Sequence, residues 1–171
     1  MTGVRIGVVG VGALGYHHAR ILRDLEGADL QGFYETREER AAAVSSELSV
    51  KAWDDLDALI GACEALTIVV PTPEHFAVAS RALAAGRHVL IEKPSVLDLA
   101  QLDELVALAE AKGLLAKVVY HKLLDPDHKK LRTLVADGEL KHVNTGYCTL
   151  LEPKSISGGQ FEFVAFPGAA I

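Results

Sequence analysis

The stretch VRIGVVGVGALG, residues 4–15, decides the fold that this sequence predicts. It begins as an apolar run typical of a buried strand and then opens into Gly10, Gly12 and Gly15 with the spacing GxGxxG. The first glycine permits a tight turn, the second lets a diphosphate approach the backbone, and the third allows a helix to pack against the strand. The stretch therefore indicates a strand, a phosphate-binding turn and a helix in succession.

The segment after the third glycine predicts a helix, because Leu14, Ile21, Leu22 and Leu25 return to one face. The unpaired N–H groups at the start of such a helix, and its positive end, point toward the phosphates of a bound dinucleotide. The residues predicted to hold the diphosphate are Gly10, Val11, Gly12, Ala13, Leu14 and Gly15. The alternative is an ordinary glycine-rich turn between a strand and a helix.

Length and composition restrict the remaining possibilities. A chain of 171 residues, half of them hydrophobic, provides one full domain and a remainder. The net charge of -6 argues against a nucleic-acid partner, and no apolar stretch approaches the length of a bilayer span. Cys63 and Cys148 lie far apart without a CxxC pair, which indicates neither a disulfide framework nor a zinc site. We expect a cytoplasmic protein without a membrane partner or a metal.

An acidic residue ends the second predicted strand, residues 28–35. Glu35 lies 20 residues after Gly15, where a carboxylate accepts hydrogen bonds from the adenosine ribose and repels a 2′-phosphate. This favours NAD, although Arg37 could pair with such a phosphate and leaves NADP possible. Thr36 completes the predicted adenosine site. The competing interpretation is a helix start, since Thr36 and Glu39 have capping-box spacing.

A continuous apolar run at residues 66–70 is typical of a parallel strand covered on both faces. A loop follows in which Thr72 can cap a helix over residues 73–85. Because this strand is expected beside the first, its carboxyl end belongs to the edge where open α/β sheets bind ligands. The loop, with Val70 and Thr72, is therefore a predicted part of the cofactor site. His75 faces the cofactor in this interpretation; a helix-capping or surface histidine is the alternative.

The string AGRHVLIEKP, residues 85–94, predicts a buried strand that runs directly into Glu92, Lys93 and Pro94. An average lysine is solvated and inert, but one at this end of a strand, on the same sheet edge as the glycine turn, can reach the reactive end of a cofactor. Glu92 and Pro94 are counted with the cofactor site. His121 follows the sixth predicted strand, residues 114–119, and is a second candidate for handling a proton. His17 and His18 are interpreted as ordinary helix residues.

Strands and helices alternate about five times along the chain, which predicts an α/β fold with a doubly wound parallel sheet, the Rossmann fold. Residues 1–122 are the predicted dinucleotide-binding domain. Residues 123–171 are predicted to hold a connecting helix and only the first strand or strands of a second, α+β domain, beginning at residues 141–151.

With these residues assembled, the chain resembles the Gfo/Idh/MocA family of NAD(P)-dependent oxidoreductases over residues 4–151. The motifs that carry the resemblance are GVVGVGALGYHHA, VPTPEHFAVA and, most specifically, AGRHVLIEKP. The resemblance implies hydride transfer between a nicotinamide and a hydroxyl of a sugar, a cyclitol or a related small molecule. It implies that Lys93 lies near the nicotinamide, hydrogen-bonds the reacting hydroxyl and helps to move its proton. It also implies that Pro71 and His75 line the cofactor groove.

The C-terminal part departs from the family. Members usually continue for well over a hundred residues into a mainly antiparallel domain, in which an aspartate and a histidine complete the active site. This chain instead ends in FEFVAFPGAAI, residues 161–171, without a matching pair. The sequence leaves open a fragment, a natural truncation and a lost reading frame. The alternatives to an enzyme are a non-catalytic NAD(P)-binding regulatory module and an inactive truncated member, and a homo-oligomer is possible.

Overall fold

The computed structural model of the chain describes residues 3–120, 126–139, 145–149 and 160–164. These residues fall into two compact units, Met1–Tyr120 and His121–Ile171. None of the described helices is both long enough and apolar enough to cross a bilayer.

The first unit is built on one parallel sheet with the strand order β3-β2-β1-β4-β5-β6. Its strands are β1 (Val4–Val9), β2 (Ala28–Tyr34), β3 (Ala52–Trp53), β4 (Ala65–Ile68), β5 (His88–Ile91) and β6 (Ala116–Val118). Its helices are α1 (Ala13–Asp24), α2 (Glu38–Leu48), α3 (Leu56–Ala62), α4 (Thr72–Ala84) and α5 (Leu99–Lys112). The doubly wound α/β sheet predicted from the alternation of elements is confirmed, with its order reversing between β1 and β4.

Two hydrophobic clusters form the core, and alternate residues of β1 contribute to each. Val9 packs with apolar residues of α3, α4 and α5, whereas Val8 packs with residues of α1, α2 and β2. Successive side chains of a strand point to opposite faces, so helices cover both faces of the sheet. Cys63 belongs to the first cluster, and burial raises the pKa of its thiol to about 11, which keeps it uncharged.

Two local predictions are wrong in detail. Thr72 is the first residue of α4 rather than its cap; Pro71 precedes the helix, and no side-chain capping bond forms there among the described residues. Pro73 fits the first turn, because its missing N–H would have no partner within the helix. The apolar face predicted for α1 is also wrong, because Leu14, Ile21 and Leu25 are 47%, 54% and 51% exposed. The buried residues of this helix are instead Gly15 and Ala19, whose small size lets the helix pack closely on the sheet.

The second unit contains α6 (Pro126–Ala136) and an antiparallel pair of strands, β7 (Thr145–Thr149) and β8 (Gln160–Val164). Thr145 lies opposite Val164 in this pair. The strand predicted at residues 141–151 is present in its central part as β7. The sequence had indicated only an apolar tail where β8 lies.

Candidate functional site

The glycine turn joins β1 to α1 and brings three chain segments close together. Gly10 has a φ of 87°, and a Cβ there would lie 2.7 Å from the carbonyl oxygen of Val69. A Cβ at Gly15 would lie 1.9 Å from the carbonyl oxygen of Gly10. For Gly12, the nearest described atom to such a Cβ is Nη2 of Arg37, at 3.8 Å. The first and third glycines thus permit the turn and its packing, whereas the second leaves open space in front of the turn.

Helix α1 begins immediately after Gly12, and the N–H of Tyr16 bonds to the Gly12 carbonyl at 3.2 Å. Gly12 occupies the N-cap position and has no side chain that could cap the helix, and the first turn of α1 carries no acidic residue. The first N–H groups of a helix need acceptors, and its positive end favours an anion. The start of α1 therefore suits a phosphate group.

Glu35 is held rigidly beside the glycine turn, and its side chain is only 7% exposed. Oε2 accepts a hydrogen bond from the N–H of Val11 at 3.1 Å, and Oε1 accepts one from Nε of Arg37 at 3.0 Å. Burial raises the pKa of Glu35, but the bonds from the Arg37 side chain and from the backbone N–H groups of Arg37 and Val11 outweigh it. The pKa therefore lies below its ordinary value, so the carboxylate is ionised where a ribose would lie.

Arg40 also binds the glycine turn, and the sequence analysis missed it. Its Nε donates to the carbonyl of Val11 at 2.8 Å, and its Nη2 donates to the carbonyl of Gly12 at 3.3 Å. The guanidinium carbon lies 5.7 Å from the centre of the Tyr16 ring. Arg40 therefore ties α2 to the turn. The sequence pattern does not distinguish Arg40 from Arg37. The two side chains point in different directions only because of the way in which α2 is rotated about its axis.

A cavity of about 650 Å³ lies in front of the turn, at the carboxyl ends of β1, β2 and β4. Seven residues of the predicted cofactor site line it: Gly10, Gly12, Glu35, Thr36, Arg37, Val70 and Pro71. Its other lining residues, which were not predicted, are Val9, Tyr34, Leu56, Val69, Glu74 and Val78. The unpredicted ones are largely apolar side chains whose position depends on the sheet and on the helices that flank it.

The other nine residues of the predicted cofactor site do not line this cavity: Val11, Ala13, Leu14, Gly15, Thr72, His75, Glu92, Lys93 and Pro94. Val11 and Gly15 are buried beneath the turn, while Ala13 and Leu14 are exposed on the first turn of α1. Lys93 and Pro94 are exposed and are joined by a cis peptide bond. His121 lies outside the described residues.

His75 was predicted to face the cofactor, but the structure turns its ring inward, and the residue is 1% exposed. Nε2 lies 2.8 Å from the carbonyl oxygen of Val70, and Nδ1 lies 2.9 Å from that of Pro94. The reason is the start of α4 at Thr72, which places position 75 on the same buried helix face as Ala79 and Ala82.

Glu92 is likewise buried rather than exposed to the cavity, at 5% exposure. Its Oε2 accepts a hydrogen bond from the N–H of Lys93 at 3.0 Å, and its Oε1 lies 3.3 Å from Nε2 of His18. Nδ1 of His18 lies 2.9 Å from the hydroxyl oxygen of Thr67. His18, interpreted from the sequence as an ordinary helix residue, is therefore part of a buried polar network below Lys93.

The site has the parts that a dinucleotide needs. The cavity lies at the reversal of the strand order, the Gly12 position leaves open space beside the start of α1, and Glu35 presents an ionised carboxylate at the end of β2. Together they define a dinucleotide-binding Rossmann domain. Residues 4–120 match the model of the Gfo/Idh/MocA oxidoreductase family, and this model covers the NAD-binding Rossmann fold of the family. The chain belongs to this family, and its first unit is the NAD-binding part.

Several relatives of known activity are similar to the chain. The UDP-N-acetylglucosamine 3-dehydrogenase of Acidithiobacillus ferrooxidans is 40% identical over 132 residues, which are 77% of this chain and 42% of that protein. Its structure superposes with a TM-score of 0.73, covering 78% of this chain and 43% of that one. The myo-inositol 2-dehydrogenase of Thermotoga maritima is 28% identical, over 92% of this chain and 50% of that protein.

A further structure is scyllo-inositol dehydrogenase from Lactobacillus casei, with bound NAD(H) and scyllo-inositol. It is 26% identical and superposes with a TM-score of 0.77, covering 84% of this chain and 44% of that one. This chain thus spans half or less of the length of the relatives described here. The likeness covers their cofactor-binding part.

Proposed function

We propose that this chain is the cofactor-binding part of an NAD-dependent dehydrogenase that acts on a hydroxyl group of a sugar, a cyclitol or a related small molecule. The observation that carries the proposal is the cavity in front of the glycine turn, with the ionised carboxylate of Glu35 fixed at its edge. The names of the relatives support the substrate class, since they include dehydrogenases of a nucleotide sugar and of inositols.

The residues around the cavity divide the work of holding NAD. The N–H groups after Gly12 bind the diphosphate, the Glu35 carboxylate accepts from the adenosine ribose, and Val70 and Pro71 provide an apolar wall. When bound, the cofactor supplies the hydride chemistry. Lys93, at the carboxyl end of β5, hydrogen-bonds the substrate hydroxyl through Nζ; the lone pair of Nζ takes the hydroxyl proton when the hydroxyl is oxidised, and Nζ returns that proton in the reverse reaction.

The contacts of Glu35 favour NAD over NADP. A 2′-phosphate would lie against an ionised carboxylate, and the charge of Arg37 is already engaged by that carboxylate at 3.0 Å. Accepting NADP requires Arg37 to leave Glu35 and to turn toward the phosphate. We therefore expect NAD and NADP to bind in the same cavity, and NAD to bind more tightly than NADP.

Thermal unfolding with NAD, NADH and NADP tests the proposal. A ligand at 100 times its Kd stabilises the folded state by about 2.7 kcal/mol, which raises the Tm by several degrees. Gly12→Val is the informative variant, because a side chain there enters open space and should leave the fold intact while it blocks the diphosphate. Gly61→Ala, in α3, is the control and keeps the shift. The proposal fails if wild type shows no shift, or if Gly12→Val keeps it.

Turnover distinguishes an enzyme from a nucleotide-binding regulatory module. NADH formation is measured with inositols and UDP-sugars, using wild type and Lys93→Met. Turnover that disappears in Lys93→Met supports the dehydrogenase. Cofactor binding without turnover of any of these hydroxyl compounds, even by a longer protein in which the chain is joined to the substrate domain of a family member, favours the regulatory module.

A further inference from the structure

The backbone on both sides of the Lys93 side chain is in hydrogen-bond contact with buried side chains. On its N-terminal side, the Glu92 carboxylate accepts a hydrogen bond from the Lys93 N–H at 3.0 Å. On its C-terminal side, the carbonyl oxygens of Pro94 and Ser95 lie 2.9 and 3.2 Å from Nδ1 of His75. The Lys93 residue itself is exposed, so the direction of its side chain depends on the backbone that carries it.

Glu92 is in turn held from α1. Nε2 of His18 lies 3.3 Å from Oε1 of Glu92, while Nδ1 of His18 lies 2.9 Å from the hydroxyl oxygen of Thr67. Thr67 and Glu92 are both almost fully buried. A buried carboxylate needs polar partners, because burial removes the water that would otherwise solvate it. Removing the imidazole of His18 therefore frees Glu92 to move, and with it the acceptor of the Lys93 N–H.

His75 connects the two loops that flank the lysine. Its Nε2 lies 2.8 Å from the carbonyl oxygen of Val70, in the loop after β4, while its Nδ1 faces the segment after β5. Carbonyl oxygens only accept hydrogen bonds, so a ring with one N–H donates to one of the two loops and is in contact with the other. Val70 lines the cavity, and Pro94 adjoins Lys93. One buried ring thus sets the distance between the cavity wall and the lysine segment.

We propose that His18 and His75 are positioning residues for Lys93. His18 acts through Glu92, and His75 acts through the carbonyl groups of Pro94 and Ser95. Together they direct the lysine toward the nicotinamide end of the cofactor. This last step rests on the proposed function, whereas the hold on the Lys93 backbone exists without any cofactor.

Amide hydrogen exchange in the complete chain, without cofactor, tests the hold on the backbone. In His18→Leu the Lys93 amide should exchange about tenfold faster, while amides of β1 keep their wild-type rates. His18→Gln, whose amide can bond to both Glu92 and Thr67, should restore part of the protection. His17→Leu is the matched control, since His17 is the exposed neighbour on the same helix. Unchanged exchange at Lys93, or faster exchange throughout the sheet, overturns the proposal.

Binding of NADH and of ADP-ribose, which lacks the nicotinamide, tests the direction of the lysine. His18→Leu and His75→Phe should weaken NADH about five- to tenfold, roughly 1 kcal/mol, and leave ADP-ribose within about twofold. Each should add no further loss to Lys93→Met, because positioning residues act only through the lysine. His75→Gln, which keeps donors, should recover part of the NADH affinity.

Equal weakening of both probes, or no weakening of either, overturns the positioning role. A wild-type chain that binds neither probe overturns the proposed function and the cofactor step together. Amide exchange at Lys93 is separate from that result, and its outcome alone decides whether His18 holds the lysine backbone.

Discussion

The carboxyl edge of the sheet has two halves that are held together in different ways. The turn half, at the ends of β1 and β2, comprises Gly10, Gly12, Gly15, Glu35, Arg37 and Arg40. The lysine half, at the ends of β4 and β5, comprises His18, Thr67, His75, Glu92 and Lys93. The turn half depends on close backbone contacts and on an arginine whose side chain is 64% exposed. In the lysine half, the residues that hold exposed Lys93 are Thr67, His75 and Glu92, which are 1%, 1% and 5% exposed, and His18, whose side chain is 17% exposed.

This difference has a physical consequence. Exposed charged contacts are weakened by salt and contribute little to stability, whereas a buried polar group that loses its partner is costly at any salt concentration. Substitutions in the turn half should therefore act through steric fit and cofactor recognition. Substitutions in the lysine half should act through the loss of hydrogen bonds. Four predictions test this contrast.

The largest effect is expected for Gly15→Val. A Cβ at this position would lie 1.9 Å from the carbonyl oxygen of Gly10, so the turn and α1 have to separate. We expect a loss of more than about 3 kcal/mol in the free energy of unfolding, measured by urea denaturation. The matched control is Gly61→Ala, a helical position where the described structure places no atom within 4 Å of the new Cβ. A stable Gly15→Val protein would contradict the backbone-contact explanation of the turn half.

Glu35→Ala should change cofactor preference, and it should also reduce stability because the N–H of buried Val11 loses its acceptor. It removes the acceptor for the ribose and the charge that repels a 2′-phosphate, and it releases Arg37. We expect the ratio of the Kd for NADP to that for NAD to fall by about tenfold or more, corresponding to one lost charged hydrogen bond. Titration calorimetry with both cofactors measures this, with Glu39→Ala as the exposed control. An unchanged ratio would remove Glu35 from cofactor recognition.

Thr67→Val should reduce stability by about 1 kcal/mol, because it removes the hydroxyl next to His18 and keeps nearly the same shape. The loss should be the same at low and high salt, as expected for a buried contact. Thr72→Val is the control, since the described structure shows no capping bond from Thr72. A loss that disappears in high salt would mean that the lysine half resembles the turn half after all.

The smallest effect is expected for Arg37→Met, measured as the dependence of stability on pH. The folded-state pKa of Glu35 is below its ordinary value, so its contribution is complete above the pKa of an unfolded glutamate, about 4.3, and is lost as the pH falls through the folded-state pKa. Without the Arg37 guanidinium the folded-state pKa rises. Wild type should therefore lose more stability than the variant as the solution is acidified, so the difference between the two proteins should close as the pH falls, and high salt should reduce it throughout. Identical acid profiles in low salt would exclude the ion pair as the cause.

The site was predictable where it depends on the local chain. The glycine spacing and the carboxylate at the end of β2 led to Gly10, Gly12 and Glu35, all of which line the cavity. The string AGRHVLIEKP led to the family. Residues whose role depends on the rotation of a helix were not predictable. Arg40 was missed, and His75 was predicted to face the cofactor although it is buried.

The sequence by itself determined the α/β class, the order of the elements, the family and the glycine turn after β1, because each follows from hydrophobic periodicity or from short motifs whose geometry is set by neighbouring residues. Only the tertiary structure decided which side chains hold Lys93. His18 meets Thr67 across 49 positions of sequence, and such a contact exists only after α1 has packed on the sheet with one particular face inward. The local sequence pattern does not determine the rotation of α1, because that rotation results from the packing of the whole core.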